Sequence, residues 1–237
     1  MNSIIIGLGV FVFVFLGTFL GGGSLQLLKD VVFKRRKLVL LFSGGIILSL
    51  LLNEIIPEAI ELFETKGIIL GFIAGALLMK ITDQFFHKGN KKSFMFLVVA
   101  LILHNLPTGV GVGLLINESS NSIFSSPFLL AMFFHHIPEG LALMSSALYG
   151  NVSFYLFTLT CLILAFFFGI SALIGNAFLY LQNIKVNTLL MGTSIGTLSF
   201  VTLHEFLRKS KDVTIFEWLL YTSFGFLIPY SLLFICE

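Results

Sequence analysis

Charge is what this chain has least of. Lys, Arg, Asp and Glu make up 11 % of its 237 residues, whereas a soluble domain is about a quarter charged. Hydrophobic residues make up 57 %. So little polar side chain cannot cover a water-facing surface. This excludes a cytosolic enzyme, a nucleic-acid binder and a disordered protein, and it leaves a bilayer spanner. Cysteine is nearly absent as well. Cys161 and Cys236 form no local pattern, which excludes a disulfide scaffold and a Cys-rich metal site. The first apolar run has no basic n-region, since its first cation is Lys29. It is long enough to span, so it reads as a mature transmembrane helix and not as a cleaved signal. The net charge of +2 points to no charged partner. The placement of charge carries more information than its sum.

About 20 apolar residues cross a hydrocarbon core as a helix. Eight stretches qualify, at 3–28, 38–62, 67–86, 93–116, 127–148, 154–181, 188–207 and 215–234. The expected fold is all-α and polytopic, a single integral membrane domain over 1–237. With the N-terminus outside, the cytoplasmic connections hold eleven Lys and Arg residues, among them Lys34, Arg35, Lys88, Lys91 and Arg208, against Lys66 and Lys185 outside. That asymmetry predicts an even number of spans with both termini facing outward. The connections are too short for a soluble domain, so the polar chemistry must lie inside the bundle. Four G-x-x-x-G pairs, such as Gly17/Gly21 and Gly109/Gly113, suit close helix approach and say nothing about substrate.

Ionisable groups at membrane depth cost at least ~2.5–3.5 kcal/mol each on insertion scales, and they mark function. The fourth stretch reads His104-Asn105-Leu106-Pro107-Thr108-Gly109 and the fifth His135-His136-Ile137-Pro138-Glu139-Gly140. One H-x-x-P-x-G frame thus recurs on consecutive antiparallel helices, near mid-span in both. Residues i and i+4 share a face, which puts His104 above Thr108 and His135 above Glu139. Each proline leaves a carbonyl four residues back, at Leu103 and Phe134, without its helical donor. Such irregular backbone is tolerated at depth where it lines a cavity. Imidazole nitrogen with carboxylate oxygen suits Zn²⁺ best, and also Fe²⁺, Ni²⁺ and Co²⁺. The absence of thiolate favours reversible binding. Glu54 and Glu58 share a face at the outer end of the second stretch and could gather a cation at the mouth of a path. His204 and Glu205 lie near the cytoplasmic end of the seventh and could serve release.

The paired frames, the span count, the outward termini and the Asn53–Glu58 segment together resemble the ZIP family of divalent metal transporters, in a compact prokaryote-type form. The resemblance implies a 3+2+3 bundle, with stretches one to three and six to eight as inverted repeats around four and five. It implies a binuclear-type centre whose matching positions are His104, Asn105, Thr108, His135, His136 and Glu139, with His204 and Glu205 at a cytoplasmic-side position. It also implies inward movement of the metal by sliding of one helical block past another. Thr108 stands where the family motif commonly has Glu, and the sixth stretch has no Asp or Glu. One good site is therefore expected: His104, His135 or His136, and Glu139, completed by Thr108 or water. With one carboxylate it half neutralises a dication, and it prefers Zn²⁺ over Mn²⁺. No prosthetic group is expected. Zn²⁺, Fe²⁺, Mn²⁺ or Cd²⁺ would be cargo, the setting a plasma (inner) membrane, and the assembly open to a homodimer. The competing readings are an intramembrane zinc-dependent hydrolase and a transport-inactive metal sensor. The hydrolase lacks an H-E-x-x-H, because Arg208 stands where the second His would be needed.

Overall fold

The computed structural model describes residues 3–30, 36–85, 92–118, 127–177, 184–207 and 213–236. The basic connections at 31–35, 86–91 and 208–212, on which the expected orientation rests, lie outside the described residues. Among the described residues there is no strand. The helices are α1 (Ser3–Leu27), α2 (Arg36–Leu50), α3 (Thr65–Phe85), α4 (Lys92–Glu118), α5 (Pro127–Tyr149), α6 (Phe154–Ala177), α7 (Ile184–Val201) and α8 (Ile215–Cys236). α2 runs on through a π-helical turn, Leu51–Ile55, into Ile56–Leu62, and α7 runs on into the π-helical segment Thr202–Leu207.

α1, α2, α3, α4, α6 and α7 contain segments long and apolar enough to cross a membrane. The outward surface carries large apolar side chains such as Leu8, Leu20, Phe166 and Leu220, which a water-soluble protein would not expose in such numbers. The chain is a helical integral membrane protein. α5 and α8, expected from the sequence to cross as well, have 23 and 22 residues but are not among these six.

Helix packing divides the chain into two groups. In one, α1 lies on α5 and α6, and α4 lies on α6. In the other, α3 lies on α7 and α2 on α8, and these two pairs meet where α2 packs on the π segment Thr202–Leu207. Contacts of α4 with α7 and of α2 with α5 join the groups. Glycine sets the pairs within a group. A Cβ at Gly21 would strike the Ile137 carbonyl oxygen of α5, and one at Gly75 the Thr193 carbonyl oxygen of α7. Backbones approach this closely only where one side has no side chain. A short turn joins α5 to α6, with Asn151 in the left-handed region at φ 53°, a conformation that Asn tolerates better than most residues. Phe157 and Phe168 of α6 are fully buried, as are Phe94 and Phe96 of α4.

Two irregularities have local causes. Pro57 has no N–H to offer the Asn53 carbonyl. Just before it, the Ile56 N–H bonds the Leu51 carbonyl, five residues back, and the Asn53 amide nitrogen donates to the carbonyl and the hydroxyl of Ser49, both at 3.1 Å. The helix widens to a π turn there, a feature often found at functional sites. In α4 and α5, Pro107 and Pro138 lie inside the helices, next to the histidines that face the seam between the two groups.

Candidate metal centre

α4 and α5 bring His104, His135 and Glu139 together. One ring nitrogen from each His and one oxygen of Glu139 all lie within 4.8 Å of one another. His104 Nε2 is 3.7 Å from Glu139 Oε1, and His135 Nε2 is 3.5 Å from the same oxygen. The two rings lie 6.1 Å apart, centroid to centroid, with a 22° tilt. Donors ~2.1 Å from a tetrahedral Zn²⁺ stand about 3.4 Å from one another, so this spacing fits an ion with only a small inward adjustment. Both Nε2 atoms are buried without a hydrogen-bond partner. Orphaned buried polar atoms call for an explanation. Two such nitrogens aimed at one carboxylate oxygen point to a shared cation.

The far side of each ring is held by the other helix group. His135 Nδ1 pairs with Glu54 Oε1 on the π turn of α2, at 2.7 Å. His104 Nδ1 pairs with Ser194 Oγ on α7, at 2.5 Å. A partner on the distal nitrogen orients an imidazole and selects which nitrogen is free to ligate. His136 plays a different part. Its Nδ1 lies 2.9 Å from Glu139 Oε2, and its ring packs edge-on against Phe168 at 5.1 Å. Glu139 therefore has one oxygen held by His136 and the other facing the two free nitrogens. His104, His136 and Glu139 are at most 3 % exposed, so these contacts act in a medium of low polarity, where an unpaired charge is costly.

The remaining predicted residues fall in several places. Thr108 donates its hydroxyl to the His104 carbonyl at 3.1 Å, so it is engaged with its own helix. Asn105 is 1 % exposed, and neither polar atom of its amide has a hydrogen-bond partner. Glu58 is exposed. His204 lies on the π segment after α7, its ring stacked on Phe200 at 5.4 Å and edge-on to Phe96 at 6.5 Å. The side chain of Glu205 lies outside the described residues. Glu54 is bonded to His135 of the centre. Its carboxylate supplies the second negative charge that the sequence reading found missing. Together with Glu139 it balances a dication by formal charge.

Sequence reasoning missed Ser194 altogether. α7 also carries Thr193 and Thr197, and no local pattern sets one hydroxyl apart from its neighbours. No family model matches the chain, and no curated protein matches it.

Proposed function

We propose that this chain is a ZIP-like transporter that moves a divalent metal ion, Zn²⁺ foremost, across the membrane into the cytoplasm. The observation that carries the reading is the convergence of His104 Nε2, His135 Nε2 and Glu139 Oε1 within a bundle of membrane helices. Imidazole and carboxylate without thiolate hold a borderline dication loosely enough to release it. The ligand atoms also sit on the seam between two helix groups, where relative movement would expose the ion first to one side and then to the other.

Support for the eight-span 3+2+3 arrangement comes from the packing pairs. Exchanging α1 with α6, α2 with α7, α3 with α8 and α4 with α5 leaves the pair of α1 and α6 as it is and turns the other main pairs into one another: α1 on α5 becomes α6 on α4, α3 on α7 becomes α8 on α2, and α4 on α7 becomes α5 on α2. Inverted repeats produce that kind of exchange. The excess of Lys and Arg in alternate connections supports outward termini, and the reading sets the protein in a plasma (inner) membrane. The protein acts as a carrier and not as an enzyme in this reading. The chain has no H-E-x-x-H.

The test is Zn²⁺ uptake into proteoliposomes, with Fe²⁺, Mn²⁺ and Cd²⁺ in competition. Glu139→Ala and His104→Ala should each abolish uptake while leaving the amount of folded protein unchanged. Uptake that persists in both variants would falsify the reading.

A further inference from the structure

The two imidazoles of the centre are held from behind by groups of different chemistry. An ionised carboxylate only accepts hydrogen bonds, whereas a hydroxyl both donates and accepts. Glu54 at His135 Nδ1 therefore requires that nitrogen to carry the hydrogen, which in the neutral ring leaves the Nε2 lone pair turned toward Glu139. Ser194 at His104 Nδ1 accommodates either tautomer. With the hydrogen on Nδ1, the ring donates to Ser194 and Nε2 is free to bind an ion. With the hydrogen on Nε2, Ser194 donates to the ring, and Nε2 points a hydrogen at Glu139 Oε1, 3.7 Å away.

Ser194 and His104 are 0 % and 1 % exposed, so water does not compete for this bond. They also belong to different helix groups, Ser194 to α7 and His104 to α4. We propose that Ser194 is a positioning residue that turns His104 Nε2 toward the ion, and that its hydroxyl makes His104 the readily detached ligand beside a firmly set His135. The inference rests on the metal-transport reading and adds a residue and a division of labour to it. In this arrangement His135 and Glu139 keep the ion in place, while His104 closes on it and lets go.

The experiment uses the full chain, purified in detergent, with Zn²⁺ binding measured by competition against a chromophoric chelator and with uptake kinetics in proteoliposomes. Ser194→Ala should weaken Zn²⁺ binding by ~10–100-fold, the usual effect of removing a group that orients a ligand, and should raise the KM for uptake by a similar factor. Ser194→Thr, which restores a hydroxyl, should return both toward the wild-type values. In a His104→Ala background, Ser194→Ala should change binding no further, because its effect passes through that ring. The proposal is overturned if Ser194→Ala binds like the wild type, if the Ala and Thr variants are weakened equally, or if the Ala effect persists without His104. Failure of the wild-type protein to bind Zn²⁺ at all would instead overturn the metal reading itself.

Discussion

The joints inside each helix group and the seam between the groups are built from different materials. Inside a group, backbone meets backbone. A Cβ at Gly140 would strike the Thr18 carbonyl oxygen, one at Gly113 that of Ala172, one at Gly225 that of Phe42, and one at Gly196 that of Phe72. Helices joined this way cannot slip without collision, because the opposing atom belongs to a main chain that cannot rotate aside. The seam is joined by side chains: Ser194 to His104, Glu54 to His135, and the Ser145 hydroxyl to the Val39 carbonyl at 3.1 Å. Among the described residues, every glycine whose Cβ would meet an opposing backbone faces a helix of its own group. The contrast separates two tasks. Glycine contacts fix α1 on α5 and α6, α4 on α6, α3 on α7 and α2 on α8, while side chains alone, apolar ones such as Phe96 on Phe200 and a few polar bonds of which two are on the ligands themselves, join α4 to α7 and α2 to α5.

The largest effect should come from putting bulk into a backbone joint. Gly113→Leu drives a side chain into the Ala172 backbone. Overpacking costs ~1–3 kcal/mol even where neighbours can yield, so the folded, monodisperse fraction after mild heating should collapse. Gly111 faces open space within 4 Å, and Gly111→Ala should leave that fraction unchanged or raise it through the ~0.5–1 kcal/mol helix preference of Ala over Gly. Equal behaviour of the two variants would remove the basis for calling the joints fixed.

A change on the seam should spare folding and strike binding. Glu54→Ala removes the partner of His135 and the second negative charge, and it should weaken Zn²⁺ binding by ~10–100-fold. His204→Ala, at the matching π segment of α7, removes a ring packed on Phe200 and Phe96 and should leave binding where it was. A chelator competition on both variants decides whether the two irregular turns differ as their contacts suggest. The smallest effect belongs to Ser145→Ala. It removes one hydrogen bond worth ~0.5–1.5 kcal/mol and falls at the low end, because the Val39 carbonyl keeps a second donor in Ser43 at 2.9 Å. Thermal unfolding should barely move. A large loss would mean that the seam bears more weight than its side-chain bonds imply.

Much of this was legible in the chain. Helical class follows from composition, and the ends of α4 and α5 lie within two residues of the stretches marked by hydropathy. The paired H-x-x-P-x-G frames stand out because imidazole and carboxylate are rare at that depth. The choice between His135 and His136 was open, since i,i+4 and i,i+3 spacings both reach Glu139. Only the packing of α4 turns His135 Nε2 and His104 Nε2 toward the same oxygen while His136 takes the other. The bond from Glu54 to His135 was hidden for a similar reason. Counting inward from a helix end estimates depth but cannot register the π turn or the contact of α2 with α5. Ser194 is ninety positions from His104, and a hydroxyl among hydroxyls carries no signal until the helices meet.

The grouping of the helices also has a consequence for how the protein is made. α1 presents glycines whose partners are on α5 and α6, which leave the ribosome much later. At ordinary synthesis speeds of 5–20 residues per second, it waits on the order of ten seconds in lipid with its small-residue stripe uncovered. Neither group is contiguous in the chain: the first is completed only at α6, after two helices of the other have been inserted, and the second only at α8. Assembly is thus a late event, and a nascent chain halted after the fourth helix would hold half of each group and no metal centre.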